Sequence, residues 1–428
     1  MPKAGLERVV DQSNRLVEIA RCIQILGRLT WPSQVVERFT DDWRRGRREL
    51  PQVTPLEANL EREIEALESL LEEFDLGHPL GRYLAATTSS YLDAARLVSA
   101  AGTPGFLELS RSLYGDPLSR MPGTDASYLD AAQALLDATG PLAESVGPDA
   151  ADYCLTAETV RDQLQPQIDA FFVSDQVEVV IDPMLASKAA ASANRIRIRG
   201  ATYFSHDDVA QLLEHEAFVH SATALNGRAQ PILSALSLGA PRTTATQEGL
   251  ATLAEVLTGA IDLARLRRLA LRTVAVHNAL EGADFLDTFR FFLEQGQTDV
   301  ESVRSAMRVF RGGDVRGRVV FTKDAVYLHG LLSVHTFFRK AIAEHKIELV
   351  SRAFAGRLSL ADLFDLEEAF EAGWIAEPRY VPRWAANTHT LAAMLIFSRV
   401  VSRIDLEQVA LHDLNPVSVR PPPVAPRK

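Results

Sequence analysis

Cysteine is nearly absent from this 428-residue chain: only Cys22 and Cys154 occur. Two cysteines cannot build a disulfide framework, and they form no Cys-x-x-Cys motif for metal or redox chemistry. Any metal must then rest on histidine and carboxylates. A basic excess is also missing. The formal net charge is -11, which disfavours nucleic acid and anionic membrane as partners, because phosphates repel an acidic surface. The opening "MPKAGLERVVDQSNRLVEIA" has no apolar leader core, and no apolar run approaches the roughly 20 residues that span a bilayer. A cytoplasmic protein is the expectation.

What is present reads as mostly helix with a small sheet, an α+β class. "TPLEANLEREIEALESLLEEFDLGHP" carries a helix signature: Thr54 as cap, Pro55 in the first turn, Glu57 closing a capping box. Leu56, Leu60, Ile64, Leu67, Leu70 and Phe74 then share one face. Val9, Leu16, Ile19, Ile23 and Leu26 repeat the period earlier. Past Asp149 the pattern changes. "QVEVVIDP" (176–183) is short and β-branched. "NRIRIRGATYF" (194–204) alternates Ile196 and Ile198 with Arg195, Arg197 and Arg199, as a strand with one wet face at a sheet edge would. "RVVF" (318–321) is another candidate strand. The expected organisation is a helical region 1–150, a catalytic domain 151–415 and a disordered Pro-rich tail 416–428.

The chemistry concentrates in "LLEHEAFVHSATALNG". Ser205 with Asp208 forms a capping box, so a helix should start near His206. His215 and His220 lie five residues apart, which on a regular α-helix separates them by about 140°. A π-type widening would bring them to one face, and such distortions concentrate at functional sites. Glu216 follows the first histidine, where it can act on water without ligating. A catalytic zinc site needs a third ligand. Glu248 lies 28 residues beyond His220, with Thr244 and Gln247 reading as a capping box before it. Gly249 beside it would let the two helices approach. Glu255, seven residues on, could hold the other ring nitrogen of a histidine.

"HEAFVH", "NGRAQP" (226–231), "TQEGLA" (246–251) and "FTKDAVYLHG" (321–330) together resemble the QEGLA-motif proteins of bacteria, a family that also includes the eukaryotic microtubule-associated tyrosine carboxypeptidase. The resemblance covers roughly Asp152 to Lys340. It implies a zincin-like zinc metallopeptidase that removes a C-terminal residue, with His215, His220 and Glu248 as ligands and Glu216 as the catalytic glutamate. Phe218-Val219 stands where the eukaryotic members usually carry Gly-Thr, and the Ala- and Arg-rich composition has a bacterial character. The metal site carries over, therefore, but tubulin as a substrate does not.

Peptide hydrolysis needs further groups. Tyr327 or His329 could donate to a developing oxyanion. A terminal carboxylate calls for a cation: Arg311, Lys323, Arg199 and Arg197 are candidates, and the strand carrying the last two could also take an extended peptide at its edge. His206, His277, His335 and His389 read as ordinary surface or core histidines, and Tyr203 and Cys154 as core. Two rival readings remain. An aminopeptidase or dipeptidyl peptidase would use the same metal helix with acidic groups for the substrate amine. A regulatory protein would keep the metal fold without turnover.

Overall fold

The computed structural model describes residues 3–54, 58–146, 153–185, 187–200 and 202–409. Most of them are helical, and three short strands make up one sheet. Pro55, Glu57 and the tail 416–428 lie outside the described residues. The helix expected from Thr54 is described only from Glu61 to Glu72, and no side chain caps it. Its apolar face is as expected, with Leu60, Leu67, Leu70 and Phe74 buried. The first helix, Lys3–Cys22, ends before Ile23, and a short helix Ile25–Leu29 follows. That break turns Leu26 outward.

The N-terminal helices share a core with the second half of the chain. Leu16, Leu67 and Leu84 belong to one buried cluster with Leu250, Leu253, Phe338 and Phe354. A second cluster joins the sheet to the helices around it, including Val160, Leu164, Ile196, Ile198, Val209 and Leu212.

The sheet contains β1 (Glu178–Asp182), β2 (Ala189–Ala191) and β3 (Arg195–Arg199) in the order β1-β3-β2. β3 pairs parallel with β1 and antiparallel with β2. It is therefore central, not at an edge, and both sides of its backbone are already paired. This excludes strand addition at β3. Its alternation is real: Ile196 and Ile198 are buried, while Arg195 and Arg197 are exposed. Truncating a fully buried isoleucine such as Ile198 to Ala costs about 2–5 kcal/mol. Residues 318–321 form no strand. Val320 and Phe321 are packed in the core, and Arg318 has a φ of 70°. Among the described residues, no helix is long and apolar enough to cross a membrane.

Candidate metal centre

The central helix starts as expected. Ser205 and Asp208 cap it reciprocally and it runs as α-helix from His206 to Leu212. It then widens into a π-helix from Leu213 to Ser221 before returning to α-helix over Ala222–Arg228. The wider turn brings i and i+5 together. The His215 and His220 rings lie 4.8 Å apart, nearly perpendicular.

Glu248 comes from the helix Pro241–Thr258. This helix starts earlier than the sequence suggested. Pro241 occupies its first turn, and Thr244 and Gln247 lie inside it rather than capping it. The Gln247 side chain instead accepts a 2.7 Å hydrogen bond from Thr223 on the histidine helix. Gly249 has a different neighbour from the one expected. A Cβ there would strike the backbone of Gly330, on the helix Val326–Ala343, and a Cβ on Gly330 would strike Ala245. The two glycines thus let the Glu248 and Tyr327 helices touch.

Glu248 Oε2 is 3.5 Å from His215 Nε2 and 3.7 Å from His220 Nε2. It is sealed from solvent and has no hydrogen-bond partner. These separations are too long for hydrogen bonds. The first falls within, and the second just beyond, the edge of a tetrahedron around zinc, roughly 3.3–3.6 Å for ligand distances of about 2.0–2.2 Å. Among the described residues, His215, His220 and Glu248 are the one group of three or more potential ligands whose donor atoms lie this close, within 4.8 Å of one another. Two imidazoles and a carboxylate are one of the donor sets that a catalytic zinc takes.

Buried support surrounds the cluster. His215 Nδ1 lies 2.6 Å from Glu255 Oε1, so its N–H donates there and Nε2 faces Glu248. Glu255 also accepts from Arg265 Nε and Nη2, both at 3.0 Å, and from Gln211 at 3.1 Å. Burial alone would lower the pKa of His215, but Glu248 and Glu255 together push it up to about 10. Burial would raise Glu248, yet Lys323, His215 and His220 hold it well below the usual carboxylate range. The same negative potential favours a metal cation between them.

Glu216 is partly exposed, and its charge acts on both His215 and Arg357. Lys323 Nζ lies 3.5 Å from Glu248 Oε1 and 5.3 Å from the Tyr327 ring. Burial and Glu248 would raise the Tyr327 phenol, but Lys323, Arg308 and Arg272 outweigh them and lower it. Arg311 is buried against Phe321, its Nε has no partner, and burial takes it down to about 10.

Other candidates lie elsewhere. His329 stacks on Tyr128 at 4.1 Å, and burial lowers its pKa. Tyr327 and His329 are two residues apart, about 200° around the helix, so they face different surroundings. Arg199 is buried in the sheet region, where its Nε donates to the carbonyls of Leu185 and Ser187. Arg197 is exposed and pairs with Asp182 at 3.4 Å. Tyr203 is 63% exposed and Cys154 is exposed, so neither is core. His206 and His389 are exposed, and His277 and His335 half-buried.

Arg272, Arg308, Asp324 and Arg357 carry no mark in the sequence. Arg308 binds Asp324 through two nitrogens, at 2.6 and 2.8 Å, and Arg272 lies 3.9 Å from the same carboxylate and over the Tyr327 ring. Their partners are remote in sequence, and no local pattern marks them. A cavity of about 910 Å³ opens beside the π-helix, with Glu214, Phe218, Phe171 and Trp384 in its wall.

A sequence model of the microtubule-associated tyrosine carboxypeptidase family matches residues 37–403. No match among curated proteins reaches significance. A solved chain from Colwellia psychrerythraea, described as a candidate lipoprotein, aligns with a TM-score of 0.43 at 14% identity, over 84% of this chain and 76% of that one. That likeness is too weak to carry any conclusion.

Proposed function

The chain belongs to the microtubule-associated tyrosine carboxypeptidase family, and from that premise we propose that it is a zinc-dependent carboxypeptidase with a zincin-like core. The substrate is the C-terminus of a peptide or protein, with tyrosine as the last residue to test first. One observation carries the metal dependence: the buried, unpartnered Glu248 Oε2 faces two imidazole nitrogens at ligand spacing. His215, His220 and Glu248 hold the ion, and Glu255 with Arg265 fixes the ring of His215. Zinc bound there supplies Lewis acidity to the reacting water and carbonyl.

The chain's own residues do the rest. Glu216 takes a proton from the attacking water and delivers it to the leaving amine, so that water and one peptide bond become a carboxylate and a free amino acid. The cations beside Tyr327 suit the substrate's terminal carboxylate. Arg308 is committed to Asp324, and Arg272 and Lys323 already lie 3.9 Å from Asp324 and 3.5 Å from Glu248, which leaves Arg311, with its unpartnered Nε, as the first candidate. Tyr327, held among these cations, is a hydrogen-bond donor to substrate. His329 and Arg199 have no part in this scheme, because their surroundings differ. The cationic lining favours a carboxylate over an amine terminus, and so a carboxypeptidase over an aminopeptidase.

Incubation with a peptide library, read by mass spectrometry, tests the reading. Loss of the last residue from free C-termini, but not from amidated ones, is expected, and Glu216→Gln should abolish it. Trimming from the N-terminus, or undiminished turnover in Glu216→Gln, contradicts the proposal.

A further inference from the structure

The motif "NGRAQP" contributes nothing to the His215–His220–Glu248 cluster, yet two of its polar side chains, Asn226 and Gln230, are buried. Asn226 Nδ2 donates to the carbonyls of Phe354 and Tyr380, at 2.8 and 2.7 Å, and its Oδ1 accepts from the backbone of Arg379 and Tyr380. Gln230 Nε2 donates to the carbonyls of Ala355 and Ala376, and its Oε1 accepts from Ala376 N–H. Two side-chain amides therefore clamp the segment just before Arg357. The clamp continues in the backbone. Arg357 N–H donates to Leu236 O at 2.7 Å. Gly227 and Gly356 both press against Leu236, where any Cβ would collide.

The guanidinium held by this seat has almost no partners. Its best hydrogen bond is a 3.5 Å contact from Nη2 to the carbonyl of His220. Its Nε is sealed from solvent and unpartnered. Gly239 leaves room for it: a Cβ there would lie 2.5 Å from Nη1. The charges acting on it include Glu248 and Glu216. Arg357 is half-buried, and holding a guanidinium partly out of water without a counter-ion is costly; a rigid seat for one suits a donor kept for a ligand. Lys323 meets Glu248 through Oε1, whereas the histidines face Oε2. Arg357 instead reaches the backbone carbonyl of His220.

We propose that Arg357 is a substrate-contacting residue whose guanidinium stabilises the negative charge that develops on the reacting carbonyl oxygen, and that the buried amides of Asn226 and Gln230 exist to hold it there. This rests on the hydrolytic reading above and adds a residue that no motif marks.

The test uses the zinc-loaded full chain, Arg357→Gln, Arg357→Lys and Gly239→Ala. Gly239→Ala displaces the guanidinium without removing it. Four readouts are taken: kcat, KM, zinc content, and affinity for a phosphinic peptide that mimics the tetrahedral state. Removing one such donor lowers kcat by about 10²–10³-fold. Arg357→Gln should show that loss with KM within about threefold and zinc content unchanged, and phosphinate affinity should fall in parallel. Arg357→Lys should recover part of it, and Gly239→Ala should lose roughly tenfold. A rise in KM with kcat kept overturns the proposal. So does unchanged phosphinate affinity, or loss of zinc in all three variants. If the wild type hydrolyses no peptide, the carboxypeptidase reading fails first, and Arg357-dependent phosphinate binding still decides this one.

Discussion

Two flanks of the His215–His220–Glu248 cluster are built by opposite rules. On the His215 flank, Glu255 meets His215, Arg265 and Gln211, so each of these groups has a partner. On the His220 flank, Arg357 has a single long hydrogen bond and an orphaned Nε. Arg311, near Tyr327, likewise has an unpartnered Nε. A satisfied buried network fixes geometry, whereas an unsatisfied one retains donors that a ligand can use. On the proposed reading, the difference separates groups that position the cluster from groups kept for substrate.

The strongest way to break this contrast is to remove the proposed base between the flanks. Glu216→Gln should lower kcat by about 10²–10⁴-fold while zinc stays bound, as elemental analysis of the purified variant checks. Glu248→Ala should next strip the metal with the fold retained, as circular dichroism and zinc content together would show. Glu255→Ala should have two effects. Metal affinity should fall by about 10–100-fold, as for other groups that orient a ligand. The buried Arg265 is left uncompensated, which should cost about 3–5 kcal/mol of stability in denaturant titration. A variant with weakened zinc but full stability would show that the His215 flank is less tightly coupled than described.

The smallest expected effect lies on the outer face of the π-helix. Burial pushes the Glu214 carboxyl from 4.5 up to about 7. Below pH 4.5 the group is protonated in both states and does not oppose folding. Between 4.5 and 7 the unfolded chain ionises first, so stability falls as pH rises; above 7 the deficit is constant. Glu214→Gln should therefore raise Tm above pH 7 and leave it unchanged below 4.5. An equal rise at both pH values would place the effect in packing rather than charge.

The His215 flank was largely legible in the sequence. The five-residue spacing of the histidines required a widened turn, and the structure has one. Glu255 lies two helical turns past Glu248, a local relation that a helix period reads directly. The Ser205–Asp208 cap was equally local. The His220 flank was not legible, because Arg357 lies 137 residues from the carbonyl it touches. Long-range seats of this kind depend on tertiary packing. The same limit placed β3 at an edge: alternation reports which faces of a strand are wet, not how many neighbours it has. Thr244 and Gln247 misled for a different reason. A capping-box pattern also occurs inside helices, and Pro241 supplied the real start. Gly249 was correctly read as a close approach, but nothing local says which helix approaches, and Gly330 supplied the contact.

The most direct measurement is zinc-edge X-ray absorption on the purified protein, alone and as His215→Ala, His220→Ala and Glu248→Ala. One zinc per chain is expected, with two imidazole nitrogens at about 2.0–2.1 Å and a carboxylate oxygen at about 2.0–2.2 Å, each signal vanishing with its residue. A wild-type spectrum without imidazole scattering, or one left unchanged by all three substitutions, would contradict it.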